Sequence, residues 1–242
     1  MRRETLAALL LSAALATAVH AQEAEPKRIL VFGDSLTWGW TPSEPIVPTT
    51  RHPEADRWTS AMARALGDGY EIVVEGLSGR TTNADDPNDS KLKGDDYLPA
   101  ALASHEPLDL VIVMLGTNDT KAYLDRTPLE IGLGAGQLIN MVHESPGWDL
   151  TDYPTPTVLL ISPPPLAEAI DPAAAADFEG AREKTLALPE VYGAIAAAAG
   201  ENFFDAGTVI ETDGVDGIHF TAATNATLGE AVAAEVERII GP

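Results

Sequence analysis

The sequence predicts an α/β fold in which helices cover both faces of a parallel β-sheet. Two observations predict it: short apolar, β-rich runs recur along the chain, and stretches of helical character separate them. A length of 242 residues fits one such domain and is sufficient to bury a full core. We therefore expect a single α/β domain.

Five apolar runs are predicted to be the strands. They cover residues 28–32, 71–75, 108–115, 157–161 and 202–204. Helices are predicted over residues 56–66, 127–142, 181–199 and 221–240. The second of these begins with Thr-Pro, a typical helix entry, although its three glycines weaken the pattern. Pro189 is expected to interrupt the third helix or to start a helix within it.

Three stretches rich in proline, glycine, aspartate or asparagine are predicted to be loops. They cover residues 41–53, 83–96 and 145–156. Long loops beside a catalytic sheet edge commonly form the walls of a substrate pocket, and we expect that role here.

The first 21 residues are predicted to be an export signal. Arg2 and Arg3 form a positive head, residues 6–19 are mostly apolar, and residues 19–21 place small side chains where a signal peptidase would cut. The apolar run is short for a membrane span, which needs about 20 residues, so a retained anchor is the less favoured alternative. We expect the mature domain, residues 22–242, in the periplasm or the medium.

The composition excludes several classes of function. The formal net charge of −22 disfavours binding to nucleic acid or to anionic membranes, because both would repel the chain. The absence of cysteine excludes disulfides, a cysteine nucleophile and thiolate metal sites. No HExxH, P-loop or dinucleotide motif is present. Residues 86–97 faintly resemble a calcium loop but lack its glycine and its final glutamate.

Ser35 is the candidate nucleophile. It lies in a Gly-Asp-Ser-Leu motif, residues 33–36, directly after the first predicted strand. Such a turn places a serine hydroxyl at the carboxyl end of the sheet, where the N-terminal amides of the next helix face a developing negative charge.

His219 is the candidate general base. It follows Asp216 by three residues, so the carboxylate could accept the Nδ1 proton and leave Nε2 to take a proton from serine. Asp213 is the competing carboxylate, and a turn-forming aspartate beside a structural histidine is the alternative without chemistry. The remaining histidines of the predicted mature chain are expected in loops or on helix surfaces: His52, His105 and His143.

Two further motifs could supply oxyanion donors. Asn118 follows the strongest predicted strand and could direct its side-chain amide at an oxyanion, although an Asx turn explains it equally well. Gly79 follows the second strand and would let a backbone N–H approach a ligand, although a plain turn is the simpler explanation. Ligands of open α/β sheets bind at the carboxyl ends of the strands, so these groups and Ser35 together predict an acyl-transfer site.

These motifs, in this order and spacing, resemble the four blocks of the SGNH (GDSL) hydrolase family. The resemblance implies a three-layer, flavodoxin-like fold with a five-stranded parallel sheet. It implies a catalytic triad of Ser35, Asp216 and His219. The oxyanion hole would consist of the Ser35 and Gly79 amides and the Asn118 side chain. Within or beside the same motifs lie the predicted substrate contacts, which are Leu36, Trp40, Thr117 and Ile218.

A narrower resemblance is to the arylesterase/acyltransferase branch. It is carried by residues 32–40, 76–82, 116–123, 162–166 and 212–220. That branch implies hydrolysis of short-chain esters, with acyl transfer to an alcohol or to hydrogen peroxide as a further activity. The implied partners are a small-molecule ester and a water or alcohol acceptor, with no cofactor or metal, and a homo-oligomer remains open. Alternatives are a carbohydrate acetylesterase, a thioesterase or lysophospholipase, and a non-catalytic exported binding protein.

Overall fold

The computed structural model describes residues 25–145 and 151–241, which contain a five-stranded parallel sheet. Its strands run in the order β2-β1-β3-β4-β5. They are β1 (Lys27–Gly33), β2 (Tyr70–Gly76), β3 (Leu110–Met114), β4 (Thr157–Ser162) and β5 (Asn202–Asp205). Each predicted strand is present, which confirms the fold class. The predicted export signal lies outside the described residues.

Six α-helices accompany the strands in the described residues. They are α1 (Ser35–Trp38), α2 (Trp58–Leu66), α3 (Gly94–His105), α4 (Pro128–His143), α5 (Ala181–Ala199) and α6 (Ala222–Ile240). All four predicted helices are present. Helix α1 is the helix expected after the Gly-Asp-Ser turn, for which no range was predicted. Helix α3 was not predicted, and the predicted loop 83–96 extends too far because α3 already begins at Gly94.

The expected interruption at Pro189 is wrong, because α5 continues through it. Thr185 and Leu188 precede the proline, Tyr192 and Ala196 follow it, and all four are buried on one side of the helix. Three of them, Leu188, Tyr192 and Ala196, belong to the core cluster that contains the sheet. Packing on both sides of Pro189 therefore outweighs the loss of one backbone hydrogen bond.

The core consists of two layers, one on each face of the sheet. Successive strand residues point to opposite faces, so Leu30 and Phe32 pack in one layer and Ile29 and Val31 in the other. The first layer receives buried side chains from α3, α4 and α5, and the second receives them from α2 and α6. The result is the three-layer α/β arrangement that the resemblance implies.

The register brings the carboxyl ends of the central strands to one edge. Gly33 pairs with Gly76 on one side and with Met114 on the other. The chain enters α1 two residues after Gly33. The segments that follow β1, β2 and β3 therefore meet at this edge. Within the described residues, no helix has both the length and the apolarity needed to cross a membrane.

Candidate active site

Ser35 is the first residue of α1, directly beyond the carboxyl end of β1. The Oδ1 of Asp34 accepts a hydrogen bond of 2.9 Å from the backbone N–H of Leu36, which caps the helix. Gly39 ends this short helix in the left-handed region, at φ 94°, and donates to the Ser35 carbonyl. The serine is thus held in a tight strand-turn-helix unit with only 6% of its surface exposed.

His219 lies between Ser35 and Asp216. Its Nε2 is 2.9 Å from the Ser35 Oγ, and its Nδ1 is 2.9 Å from the Asp216 Oδ2. The Asp216 Oδ1 accepts the backbone N–H groups of Ile218 and His219, which fixes the carboxylate. Asp213 instead accepts the backbone N–H and the hydroxyl of Thr221, at the start of α6. The structure therefore brings Asp216, and not Asp213, to the imidazole.

The surroundings lower the pKa values of both His219 and Asp216. Burial lowers the pKa of His219 below its ordinary value, a change that the hydrogen bond and charge of Asp216 oppose. For Asp216, burial alone would raise the pKa. The hydrogen bonds from the His219 side chain and from two backbone N–H groups outweigh it, and the pKa is lowered. At neutral pH the site therefore holds a neutral imidazole beside a carboxylate, the state in which a histidine can accept a proton.

Two residues that line the cavity at this site, Ser35 and Gly79, have backbone N–H groups without an acceptor in the described structure. Among the described residues, neither the Ser35 amide nor the Gly79 amide donates to a protein group. Gly79 has φ 89°, a conformation that favours glycine, and an added Cβ would lie 3.0 Å from the Leu92 side chain. Because both residues line the cavity at Ser35 and their N–H groups have no acceptor among the described residues, the pair is suited to receive a developing negative charge.

The side-chain amide of Asn118 is held by two other segments. Its Nδ2 donates to the Asp34 Oδ2 and to the Arg80 carbonyl, both at 3.2 Å. Asn118 lines the same cavity as Ser35, so an oxyanion there would share one of these hydrogens. Burial, together with the nearby charge of Asp119, raises the pKa of Asp34 to about 7. The hydrogen bond from the Leu36 backbone and the charge of Arg80 oppose this rise.

A buried carboxylate that the sequence analysis did not single out joins two of the site's segments. The Asp119 carboxylate accepts the backbone N–H of Thr82, the Thr82 hydroxyl at 2.6 Å and the Arg126 guanidinium at 2.6 Å. Burial raises the pKa of Asp119, and these hydrogen bonds oppose the rise. The Gly79 turn and the Asn118 turn are thereby fastened to each other. A Gly-Thr-Asn-Asp motif alone does not reveal this link, because Thr82 lies 37 residues from Asp119.

A cavity of about 290 Å³ opens at Ser35 and His219. Of the predicted substrate contacts, Trp40 and Ile218 line it. Leu36 and Thr117 do not: Leu36 packs in the core layer with α2 and α6, and the Thr117 side chain is buried. Lining residues not predicted from the sequence come from four segments, and they are Ile46, Val47, Ser78, Lys121, Asp177 and Phe178.

The loop 41–53 forms one wall of the cavity, through Ile46 and Val47. His52 lies in this loop, as expected, but its side chain is buried, and its Nε2 lies 3.0 Å from the Phe220 carbonyl. This contact ties the loop to the segment that carries His219. His105 and His143 are partly buried and pair with Glu75 and Glu201. No signal in the sequence distinguishes His52 from these two.

The described residues contain no group of three or more His, Asp or Glu side chains placed to hold a metal ion. In the segment that faintly resembles a calcium loop, Asp86 accepts hydrogen bonds from the backbone of Asn88, the Tyr123 hydroxyl and Lys121. Its oxygens anchor the loop to the segment after β3.

Comparison with known proteins gives one family and several close structures. The model of the GDSL-like lipase/acylhydrolase family matches residues 31–227. A carbohydrate acetylesterase from Sinorhizobium meliloti is 54% identical, with a TM-score of 0.86, over 88% of this chain and 99% of that one. The aryl esterase of M. smegmatis is 56% identical, with the same TM-score and coverage. A second S. meliloti structure, described as a carbohydrate acetylesterase family member, is 36% identical, with a TM-score of 0.83, over 89% of this chain and 100% of that one. No protein with a curated description matches the chain.

Proposed function

Because the chain belongs to the GDSL-like lipase/acylhydrolase family and is a carboxylic ester hydrolase, we propose that it cleaves short-chain esters through an acyl-enzyme on Ser35. The observation that carries the proposal is the continuous chain of hydrogen-bonding contacts from Asp216 through His219 to Ser35, with 2.9 Å at each contact. The unpaired Ser35 and Gly79 amides beside it complete the requirements for acyl transfer.

The first half-reaction forms the acyl-enzyme. The Ser35 Oγ attacks the ester carbonyl carbon while its proton passes to the His219 Nε2, and the carbonyl electron pair moves to the oxygen. The Ser35 and Gly79 amides, with the Asn118 amide, stabilise that oxyanion. When the tetrahedral intermediate collapses, the bond to the alcohol oxygen breaks and the imidazolium returns the proton to the leaving alkoxide.

The second half-reaction releases the acid. Water enters the cavity, and His219 removes a proton from it as its oxygen attacks the acyl carbonyl carbon. The tetrahedral intermediate then expels the Ser35 oxygen, which recovers its proton from His219. Asp216 keeps its charge throughout, because its pKa is lowered, and it stabilises the imidazolium formed in each step.

The size of the cavity supports a short acyl group. Its volume of about 290 Å³ lies near the lower end of the range for ligand sites, roughly 300–1,000 Å³, and it must hold the acyl group and part of the alcohol. The aromatic and branched side chains of Trp40, Ile46, Phe178 and Ile218 form its apolar walls.

Initial rates on p-nitrophenyl acetate, butyrate and octanoate test this proposal. We expect the highest kcat/KM for acetate or butyrate and a much lower value for octanoate. A preference for octanoate would indicate a thioesterase or lysophospholipase instead. Failure to turn over any of the three would contradict the proposed acyl-enzyme.

We also propose that the acyl group passes to alcohols or peroxide in competition with water. The apolar walls lower the local availability of water and favour a nucleophile with apolar surface. Adding an alcohol during turnover of p-nitrophenyl acetate should give the new ester as well as acetate. Free acetate as the sole product at high alcohol concentration would restrict the enzyme to hydrolysis.

A specific observation favours acetylated carbohydrate as a second candidate substrate. A cavity of about 450 Å³ is lined by four polar side chains together with apolar ones such as Leu186 and Ile210. The polar side chains are Glu168, Arg182, Glu211 and Thr212. It adjoins the segment after β4, where the Ala167 N–H donates to the Gly217 carbonyl in the triad loop. Carboxylates and guanidinium groups can bind sugar hydroxyls. Glu168→Ala should then lower kcat/KM on an acetylated oligosaccharide and leave turnover of p-nitrophenyl acetate unchanged.

Export to the periplasm or the medium and assembly into a homo-oligomer are part of this proposal. Export is supported by the charged head, apolar run and small residues of positions 1–21. Cell fractionation with N-terminal sequencing of the mature chain tests it, with cleavage near residue 21 as the expected result. Sedimentation of the purified protein gives the oligomeric state.

The state of His219 predicts how activity depends on pH. Burial lowers its pKa below the ordinary 6.5. Protonation removes its capacity to accept the serine proton, so kcat/KM should fall as pH decreases through this pKa. The acid limb of the kcat/KM profile should therefore lie below pH 6.5, with full activity at neutral pH. A limb above that value, measured with an uncharged ester, would contradict the assigned environment of His219.

Asn118→Ala is expected to lower kcat by roughly a hundred- to a thousandfold, the effect of removing one oxyanion donor. Asn118 also links Asp34 to the Arg80 carbonyl, so the free energy of unfolding should be measured alongside. A kcat near wild type in a folded variant would remove Asn118 from the oxyanion hole and leave the two backbone amides as its donors.

A further inference from the structure

The indole of Trp40 lies flat against the imidazole of His219. The two ring centroids are 4.9 Å apart and the ring planes differ by 12°. The imidazole therefore contacts Asp216 and Ser35 through its two ring nitrogens and the Trp40 indole through one ring face.

The surrounding structure holds this indole in place. The backbone N–H of Trp40 donates to the Ser35 carbonyl at 3.1 Å, so the backbone of the stacked residue is fixed to the nucleophile's own residue. Trp40 also pairs with Arg51 in an isolated antiparallel bridge. Its ring packs against the cluster that includes Ile46 and Ile218. Trp40 thus spans the nucleophile and the base.

An aromatic face carries partial negative charge and attracts a cation within about 6 Å of its centroid, with tryptophan the strongest of the three aromatic side chains. His219 becomes such a cation when it takes the Ser35 proton. The neutral imidazole of the resting site gains less from the stack than the imidazolium of the transition state. Interactions that strengthen in the transition state accelerate the chemical step.

We propose that Trp40 is a positioning residue that holds His219 by its ring face and stabilises the imidazolium formed during acyl transfer. The role is additional to its place in the cavity wall, and it rests on the proposed function of His219 as general base. No bond to Trp40 is made or broken, and the proton moves between the Ser35 Oγ and the His219 Nε2 alone.

Other charged or titratable groups also act on His219. Asp216 faces Nδ1 from the same loop, and His52 disfavours the imidazolium from the loop 41–53. Lys121 and Asp177 line the same cavity. The substitutions that test Trp40 leave these four side chains unchanged. A difference in the pKa of His219 between variants therefore measures the effect of the aromatic ring face.

The test is an NMR titration of the His219 ring in the substrate-free enzyme, with Trp40→Phe and Trp40→Leu compared to wild type. Loss of the aromatic face should lower the pKa of His219 by roughly one unit in Trp40→Leu, with a smaller decrease in Trp40→Phe. Loss of shielding from water would act in the opposite direction, because burial lowers this pKa. The sign of the shift therefore separates the two effects.

The same variants are assayed on p-nitrophenyl acetate. The kcat of Trp40→Leu should fall roughly tenfold, and the acid limb of kcat/KM should move to lower pH with the titration. Phe178→Leu is the matched control: Phe178 lines the same cavity, and in the described part of the chain its ring is not stacked on His219. This control should change KM and leave the pKa of His219 unchanged.

An unchanged or raised pKa of His219 in a folded Trp40→Leu variant would overturn the proposal, as would an equal shift in Phe178→Leu. Because the titration needs no substrate, this outcome is independent of the proposed function. Failure of the wild type to turn over esters would instead contradict the assignment of His219 as the base.

Discussion

Ser35→Ala should lower kcat by several orders of magnitude on every ester that the wild type hydrolyses. The substitution removes the only atom that forms the acyl-enzyme in the proposed mechanism, and the residual rate would come from the oxyanion donors and binding alone. KM should change little, because the cavity walls are untouched. Rates under single-turnover conditions and a calorimetric melting curve are the measurements.

The stability of this variant should stay close to that of the wild type. Among the described residues the Ser35 hydroxyl makes one hydrogen-bonding contact, with His219, and a net hydrogen bond contributes about 1 kcal/mol. Ser78→Ala is the matched control, since Ser78 lines the same cavity and has no contact with His219 among the described hydrogen bonds. Ser78→Ala should retain most of kcat. Near-wild-type kcat in Ser35→Ala would contradict the assignment of the nucleophile.

Asp216→Asn should lower kcat by roughly 10⁴-fold, the effect seen when the orienting carboxylate of a Ser-His-Asp triad is replaced by its amide. The carboxylate accepts the His219 Nδ1 proton, and it stabilises the imidazolium. An amide of the same shape loses the negative charge and can donate to Nδ1, which would place the proton on Nε2 and leave no acceptor for the Ser35 proton. The kcat on p-nitrophenyl acetate is the readout.

Asp213→Asn is the control for this prediction, because it changes the competing carboxylate in the same loop. Asp213 accepts two hydrogen bonds from Thr221 and none from His219 in the described structure. The control should therefore lose a little thermal stability and keep its kcat. A larger loss of kcat in Asp213→Asn than in Asp216→Asn would reverse the assignment of the two carboxylates.

Features that depend on local sequence could be predicted from it. The five strands are marked by apolar runs, and the turn after β1 is marked by a Gly-Asp-Ser sequence. Asp216 lies three residues from His219, so their pairing is also local. For these features the chain's own spacing determines the geometry.

Features that depend on distant segments could not be predicted. Leu36, a predicted substrate contact, does not line the cavity although it directly follows Ser35. Successive helical residues point about 100° apart, and its side chain therefore enters the core. Ile46 and Phe178 meet in the cavity only through the packing of two loops. The buried role of His52 depends on the Phe220 carbonyl, 168 residues away.

Helix α3 was not predicted from the sequence for a different reason. Its first turn is acidic and Pro99 lies within it, which obscures the helical pattern. Its buried residues Leu98, Ala101 and Leu102 nevertheless follow the spacing of one helix face. Tertiary burial of that face, and not local propensity, stabilises the helix.

Covalent labelling with a fluorophosphonate, followed by mass spectrometry of the digested protein, tests the proposed catalytic site most directly. We expect a single adduct, on the peptide that contains Ser35, and a loss of esterase activity in proportion to labelling. His219→Ala should slow the labelling strongly, because the serine would lack its base. An adduct on another residue, or full inactivation with Ser35 unmodified, would contradict the proposed catalytic site.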